Sequence, residues 1–116
     1  MAQNSVLLEK SLKFASRILK LYSYLSKEKH ETIISKQLIR SGTSIGANAN
    51  EAIYGSSKAD FIAKLQIALK ETAETEYWLR LLVLSDYLTD TEGNSLIEDC
   101  IEIKRILIAT LNTAKK

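Results

Sequence analysis

Apolar residues recur along the chain at alternating spacings of three and four, which is the period of an amphipathic α-helix. Near the start of the chain two such rows run side by side. The first row is Leu8, Leu12, Ala15, Leu19 and Tyr22, and the second row is Phe14, Ile18, Leu21 and Leu25. The pattern predicts a first helix over about residues 5–26 with a broad buried face.

A second helix is predicted over residues 33–53. Its apolar stripe includes two polar residues and consists of Ile34, Leu38, Ser41, Ile45, Asn48 and Ala52. Gly55-Ser56-Ser57 then interrupts the pattern, and Ser57 followed three residues later by Asp60 has the spacing of a capping box, which predicts the start of a third helix.

The third helix is predicted over residues 57–87, with the stripe Phe61, Leu65, Ala68, Thr72, Thr75, Leu79 and Leu82. Residues 89–94 are predicted to form a turn that bends at Gly93-Asn94. Ser95 with Glu98 has the spacing of a capping box and predicts the start of a fourth helix over residues 94–113. The stripe of that helix is Leu96, Cys100, Ile103 and Leu107.

The fold class that follows is all-α, because no segment alternates as a half-buried strand does. The 116 residues contain no proline, which also favours long uninterrupted helices. We expect one domain, residues 1–116, folded as an antiparallel up-down-up-down four-helix bundle. Helices one, three and four each have two apolar rows, which either surround a wide core or face another subunit. We expect a homo-oligomer.

Composition excludes several classes of protein. The chain is 46% apolar and 26% charged, as a folded globular domain is, and its single cysteine cannot form an internal disulfide. Its longest apolar runs are far shorter than a membrane span, and charged residues interrupt the apolar residues of the N-terminal segment, unlike a secretion signal. We expect a cytoplasmic protein with no membrane partner.

Catalytic chemistry has little support in the sequence. The one histidine, His30, lies in a polar connection beside Lys29 and Glu31, and Cys100 lies on the apolar stripe of the last helix. No phosphate-binding loop, nucleophile elbow or zinc-ligand spacing is present in the sequence. We therefore expect no catalytic residue, no metal, no cofactor and no enzymatic activity.

Charge is unevenly distributed along the chain. Residues 1–50 contain eight Lys/Arg and three acids, a net +5, whereas residues 51–116 contain eight Lys/Arg and eleven acids, a net −3. Five cations share one face of the first helix, over about 25 Å of its length, and Tyr24 occupies the remaining heptad position. They are Lys10, Lys13, Arg17, Lys20 and Lys27. This face is either a solvated outer surface or a contact for a polyanion such as RNA, and an oligomer would repeat it.

The segment from Arg40 to Ala52 contains two glycines inside a helical pattern, each of which costs about 1 kcal/mol relative to alanine. Gly42, Gly46 and Ala49 share one face, along which another helix can approach closely. Asn48 is predicted to be a buried amide that fixes helix register or oligomeric state. A helix-packing or subunit interface is therefore predicted at Gly42, Ser44, Gly46, Asn48 and Glu51. The alternative is a ligand pocket lined by Ser44, Asn48 and Glu51.

These residues also resemble a known family. The run Arg40-Ser41-Gly42-Thr43-Ser44-Ile45-Gly46-Ala47-Asn48, followed by Glu51-Ala52, is similar to the signature of the four-helix-bundle family encoded by intervening sequences in bacterial 23S ribosomal RNA genes. A second block, from Asp60-Phe61-Ile62 through Ile67-Ala68-Leu69-Lys70-Glu71 to Glu74 and Tyr77-Trp78-Leu79, resembles the third helix of that family.

The resemblance implies a ring-shaped homopentamer of antiparallel bundles without enzymatic activity. A related protein, the accessory variability protein of diversity-generating retroelements, is a basic pentameric barrel that binds a reverse transcriptase and nucleic acid. We expect a non-enzymatic adaptor for structured RNA or for an RNA-handling protein, with the basic face of the first helix as its contact surface. The alternative is a purely structural or protein-interaction module that does not bind nucleic acid.

Overall fold

Four α-helices and three short connections make up the chain in the computed structural model, which describes residues 2–116 and their side chains from Asn4 onward. The helices are α1 (Ala2–Lys27), α2 (Ile34–Ile53), α3 (Lys58–Leu84) and α4 (Asp90–Ala114), and no strand occurs between residues 2 and 116. Each helix packs against the next in sequence, and α4 packs back against α1. Among the described residues the backbones of α1 and α3 do not come close together, and neither do those of α2 and α4, so these pairs lie diagonally across the core.

Local hydrogen bonds determine where the helices begin and end. The Ser57 hydroxyl accepts from the Asp60 N–H at 3.0 Å and caps α3, as the sequence predicts. The predicted extension of α3 to residue 87 is wrong, because the chain reverses at Asp86 (φ 65°). There the N–H groups of Asp86 and Tyr87 donate to the carbonyls of Val83 and Leu82, a C-terminal motif that ends the helix.

The predicted turn at residues 89–94 is also wrong. Thr89 and Glu92 form a reciprocal capping box, so α4 begins at Asp90 rather than near residue 94, and Ser95 lies inside the helix. Gly93 is helical with negative φ. Its missing side chain permits close packing rather than a bend, because a Cβ at this position would overlap Val83 Cγ2 in α3.

The connection between α1 and α2 is ordered by Glu31. Its carboxylate accepts hydrogen bonds from the backbone N–H groups of Ile33, Ile34 and Ser35, at 2.7 to 3.1 Å, and so occupies the free donors of the first turn of α2. Partial burial raises the pKa of Glu31, but these backbone hydrogen bonds outweigh it and hold the pKa below its usual value. The neighbouring His30 has a left-handed backbone, with φ 55°.

The core contains most of the predicted stripes of α2, α3 and α4, but only the second of the two predicted apolar rows of α1. Leu12 is 73% exposed and Leu19 is 55% exposed, although both belong to the most regular apolar row of the sequence. The buried apolar residues of α1 come from the second row, with Leu7 added at its N-terminal end: Leu7, Phe14, Ile18, Leu21 and Leu25. The two rows lie about 100° apart around the helix, and only one of them can face the other three helices.

Polar side chains also connect α2 to α3. The hydroxyl groups of Ser41 and Thr75, both fully buried, are hydrogen-bonded at 2.9 Å. At the edge of the same interface the Arg40 guanidinium pairs with the carboxylates of Glu71 and Glu74. The Trp78 indole N–H also donates to Glu74, at 3.0 Å.

Candidate nucleic-acid interface on the first helix

The outward surface of α1 has two rows of different chemistry. Toward α2 lie Leu12 and Leu19, seven residues apart and both exposed. Each is followed by a lysine, Lys13 and Lys20, and the lysine row continues to Lys27 after another seven residues. We refer to Leu12 and Leu19 as the leucine row and to Lys13, Lys20 and Lys27 as the lysine row.

The five cations predicted to share one face do not have the same surroundings. Lys10 and Arg17 lie at the edge of α1 that meets α4, where Lys10 pairs with Glu102 at 3.1 Å and Arg17 pairs with Asp99 at 2.5 Å. Arg17 also donates to the Ser95 hydroxyl at 3.1 Å. Part of the charge asymmetry of the sequence therefore reflects ion pairs between the basic first helix and the acidic half of α4.

The lysine row points to solvent. Lys13 is paired with Glu9 at 3.1 Å, but both side chains are more than two-thirds exposed, and an exposed pair of this kind adds little free energy and is easily exchanged. Among the described side chains, Lys20 and Lys27 form no ion pair. Seven helical residues correspond to about 10 Å, so the row presents three ammonium groups at regular intervals along α1.

A cleft of about 640 Å³ opens between α1 and α4, beside the lysine row. Its apolar residues are Leu21, Leu88 and Leu96, which are nearly inaccessible to solvent. Its polar wall is formed by Arg17, Lys20, Tyr24, Thr91, Glu92 and Ser95. The three α1 residues of this wall belong to the predicted basic face, whereas the cleft itself is not visible in the sequence.

A second groove, between α1 and α2, is mostly apolar. It consists of two adjoining hollows of about 420 and 530 Å³ that share Leu12, Ala15 and Thr43. Leu19 lines one hollow, and Ser11, Gly46 and Ala47 line the other. The Ser11 hydroxyl is buried and has no hydrogen-bond partner among the described atoms.

The glycine-containing segment of α2 faces two different neighbours. A Cβ at Gly42 would lie 2.9 Å from Ile18, and one at Gly46 would lie 3.2 Å from the Ser11 Cβ, so both glycines permit the close approach of α1. Ser44, Asn48 and Glu51 lie on the other side of α2. The amide group of the half-buried Asn48 donates to the carbonyl and hydroxyl oxygens of Ser44, at 2.8 and 2.9 Å, within its own helix. Glu51 is exposed and pairs with Lys64 of α3.

The two groups considered for catalysis, His30 and Cys100, lie in different elements of the fold. Burial raises the pKa of the Cys100 thiol to about 12, and the negative charge of Glu76 is the next largest cause of this increase. His30 is exposed in the connection before α2. Among residues whose side chains are described, no three His, Cys, Asp or Glu lie close enough to hold a metal ion. None of the four described helices is long and apolar enough to cross a membrane.

Comparison with known proteins identifies the fold and the family of the chain. The chain is similar to the crystal structure of a protein of unknown function from the S23 ribosomal protein family of Bacteroides thetaiotaomicron VPI-5482, with 50% sequence identity and a TM-score of 0.94. The similarity covers 95% of this chain and 98% of that one. No curated protein sequence matches the chain. Residues 3–109 match the sequence profile of the 23S rRNA-intervening sequence proteins, and the chain belongs to that family.

Proposed function

We propose that this protein is a non-enzymatic, cytoplasmic adaptor that assembles into a ring of five subunits and binds structured RNA along the lysine row. The observation that supports this proposal is the pairing of two rows on one helix. Lys13, Lys20 and Lys27 point to solvent at regular intervals, and the leucine row beside them offers a surface through which subunits can associate.

The leucine row supports the assembly step. Covering an exposed leucine contributes about 1.5–3 kcal/mol, and Leu12 and Leu19 line apolar hollows that a neighbouring subunit could fill. The contacts within the subunit support the proposed antiparallel topology, because residue numbers in contacting helices run in opposite order. Lys10 and Arg17 pair with Glu102 and Asp99, for example. The number five comes from the resemblance to the family.

The lysine row supports the binding step. Each lysine that neutralises a phosphate releases counterions, so binding weakens as salt rises, with a slope that grows with the number of phosphates neutralised. One subunit supplies three exposed lysines, which is a small site. In a ring, every subunit presents its own lysine row beside the leucine row that a neighbouring subunit covers. A long RNA that contacts several of these lysine rows gains avidity.

Assembly is tested by sedimentation of the purified chain. We expect a species of about five subunits for the wild type and a smaller species for Leu12→Lys/Leu19→Lys. Ile33→Lys is the control, since Ile33 is 74% exposed in the connection before α2. A monomeric wild type would refute the proposed assembly. A double variant that sediments like the wild type would show that the leucine row does not join subunits.

RNA binding is tested with a labelled structured RNA at 50 and 200 mM salt. Lys13→Ala/Lys20→Ala/Lys27→Ala should bind more weakly and with a shallower salt dependence than the wild type. The matched control is Lys36→Ala/Lys58→Ala/Lys115→Ala, which removes the same charge from exposed positions elsewhere. Equal loss in both variants, or no binding by the wild type at 50 mM salt, would refute the proposal.

A protein-interaction module remains the second candidate, and the outward face of α3 favours it. Ile67, Tyr77 and Leu84 are exposed there, at 43%, 62% and 82% of their surface. Recovery of a single protein and no RNA with the tagged wild-type chain, abolished by Tyr77→Ala/Leu84→Ala, would favour this function over RNA binding.

A further inference from the structure

We propose that the cleft between α1 and α4 binds one unpaired nucleobase of an RNA whose backbone follows the lysine row. This inference rests on the proposed function, because it identifies which part of the RNA enters the subunit. A base site of this kind makes the protein selective for single-stranded segments, a preference that contacts to phosphates alone do not produce.

The size and lining of the cleft fit a flat, partly apolar ring. Its volume of about 640 Å³ lies within the range of small-molecule sites, which is roughly 300–1,000 Å³. Leu21, Leu88 and Leu96 provide a floor that a base can cover. The hydroxyl groups of Thr91 and Ser95 lie in the wall, where they can hydrogen-bond to the polar edge of a base.

Two flat groups lie in the wall on the α1 side. Tyr24 is 41% exposed, and the Lys29 ammonium lies 5.9 Å from the centroid of its ring. The Arg17 guanidinium is held by Asp99 and Ser95 of α4, so its orientation is fixed before any ligand arrives. Aromatic rings and guanidinium planes are the surfaces on which proteins stack unpaired bases.

Charge in the cleft favours a base over a phosphate. The charge of Arg17 is already balanced by Asp99. The Glu92 carboxylate, which accepts from the N–H and hydroxyl groups of Thr89, adds a negative charge opposite Lys20. A phosphate inside the cleft would be repelled by this carboxylate, whereas a neutral base would not be repelled. Lys20 lines the cleft and also belongs to the lysine row, so it can bind the phosphate of the nucleotide whose base enters.

The experiment compares a ten-nucleotide single-stranded RNA containing one 2-aminopurine with the blunt duplex of the same sequence. We expect the wild type to bind the single strand more tightly than the duplex, and 2-aminopurine fluorescence to decrease on binding as the base stacks. Tyr24→Ala should weaken single-strand binding about tenfold and change duplex binding little. Ser95→Trp, which fills the cleft from α4, should have the same effect.

Tyr54→Ala is the matched control, because Tyr54 is 80% exposed and lies outside the cleft. If RNA binds but Tyr24→Ala and Tyr54→Ala are indistinguishable, or the duplex binds as tightly as the single strand, the base site is refuted while the lysine row stands. If neither RNA binds, or the lysine-row triple variant binds both normally, the proposed function fails as well.

Discussion

Gly93 of α4 faces Val83 of α3 so closely that no other residue fits at position 93 without displacing its neighbour. A Cβ built on Gly93 would overlap Val83 Cγ2 and would lie 3.9 Å from the Leu88 Cβ. The glycine is helical and needs no unusual backbone angle. Its function is to let the first turn of α4 pack against the last turn of α3.

We expect Gly93→Ala to lower the free energy of unfolding by up to about 2 kcal/mol. Overpacking against a stiff β-branched side chain costs about 1–3 kcal/mol, and the higher helix propensity of alanine returns about 1 kcal/mol. Urea denaturation at a fixed protein concentration measures the change. In a Val83→Ala background the clash is gone, so Gly93→Ala should then stabilise. A loss of the same size in both backgrounds would contradict the packing explanation.

The hydrogen bond between Ser41 and Thr75 predicts a non-additive pair of substitutions. Thr75→Val keeps the shape but leaves the buried Ser41 hydroxyl without its partner across the helices, so we expect a loss of about 1–2 kcal/mol in unfolding free energy. Ser41→Ala/Thr75→Val should cost less than the two single changes together. Thr113→Val, at an exposed position in α4, is the control and should change stability by less than about 0.5 kcal/mol. Simple additivity would mean that the two hydroxyl groups are not coupled.

Glu31 predicts a specific dependence of stability on acid. Its pKa in the folded protein lies below the ordinary value of 4.5, so its stabilising effect is complete above pH 4.5 and disappears as the pH falls through the lower folded value. Glu31→Gln should therefore be less stable than the wild type at pH 7 and should lose less stability between pH 5 and pH 2. Thermal unfolding of both proteins, measured across this pH range, tests the prediction. Glu28→Gln, at an exposed position in the same connection, should follow the wild-type curve.

Cys100 should be unreactive in the folded protein. With a pKa of about 12 almost no thiolate is present at pH 8, and the thiol is buried and lies 3.3 Å from the Thr72 carbonyl. We expect a thiol reagent such as DTNB to label one cysteine at the rate of unfolding, and at once in concentrated urea. A Ser56→Cys/Cys100→Ala variant, with an exposed thiol, should react immediately without urea. Fast labelling of native Cys100 would contradict the buried environment.

Much of the fold could be predicted from the period of the apolar residues, because one predicted row in each of α2, α3 and α4 is largely buried in the core. The exception is α1, where two rows have almost the same spacing and composition. Regular spacing identifies a helix face but does not say whether the rest of the subunit or another molecule covers it. The sequence alone therefore leaves open whether Leu12 and Leu19 face the core or another subunit.

The candidate site was harder to predict. The basic face is visible in the sequence because it lies on one helix, but its charge fits a solvated surface as well as a contact for a polyanion. The cleft requires Leu88 and Ser95, which are more than sixty residues from Tyr24 in sequence and meet it only when α4 packs back on α1. No spacing of residues within one helix predicts this contact. The same is true of Gly93, whose close contact with Val83 exists only in the folded chain.

The adjacency of the leucine and lysine rows makes α1 unusually sensitive to changes in length. Consecutive residues lie about 100° apart around a helix. Deletion of Ser16 would therefore move every later residue of α1 into the position of the residue before it. Lys20 would then occupy the place of Leu19 in the apolar groove, and Leu19 would enter the core in place of Ile18. Point substitutions along this surface alter one property at a time, whereas an insertion or deletion would exchange the two surfaces. Natural variation in chain length should therefore concentrate in the connections between helices and spare the middle of α1.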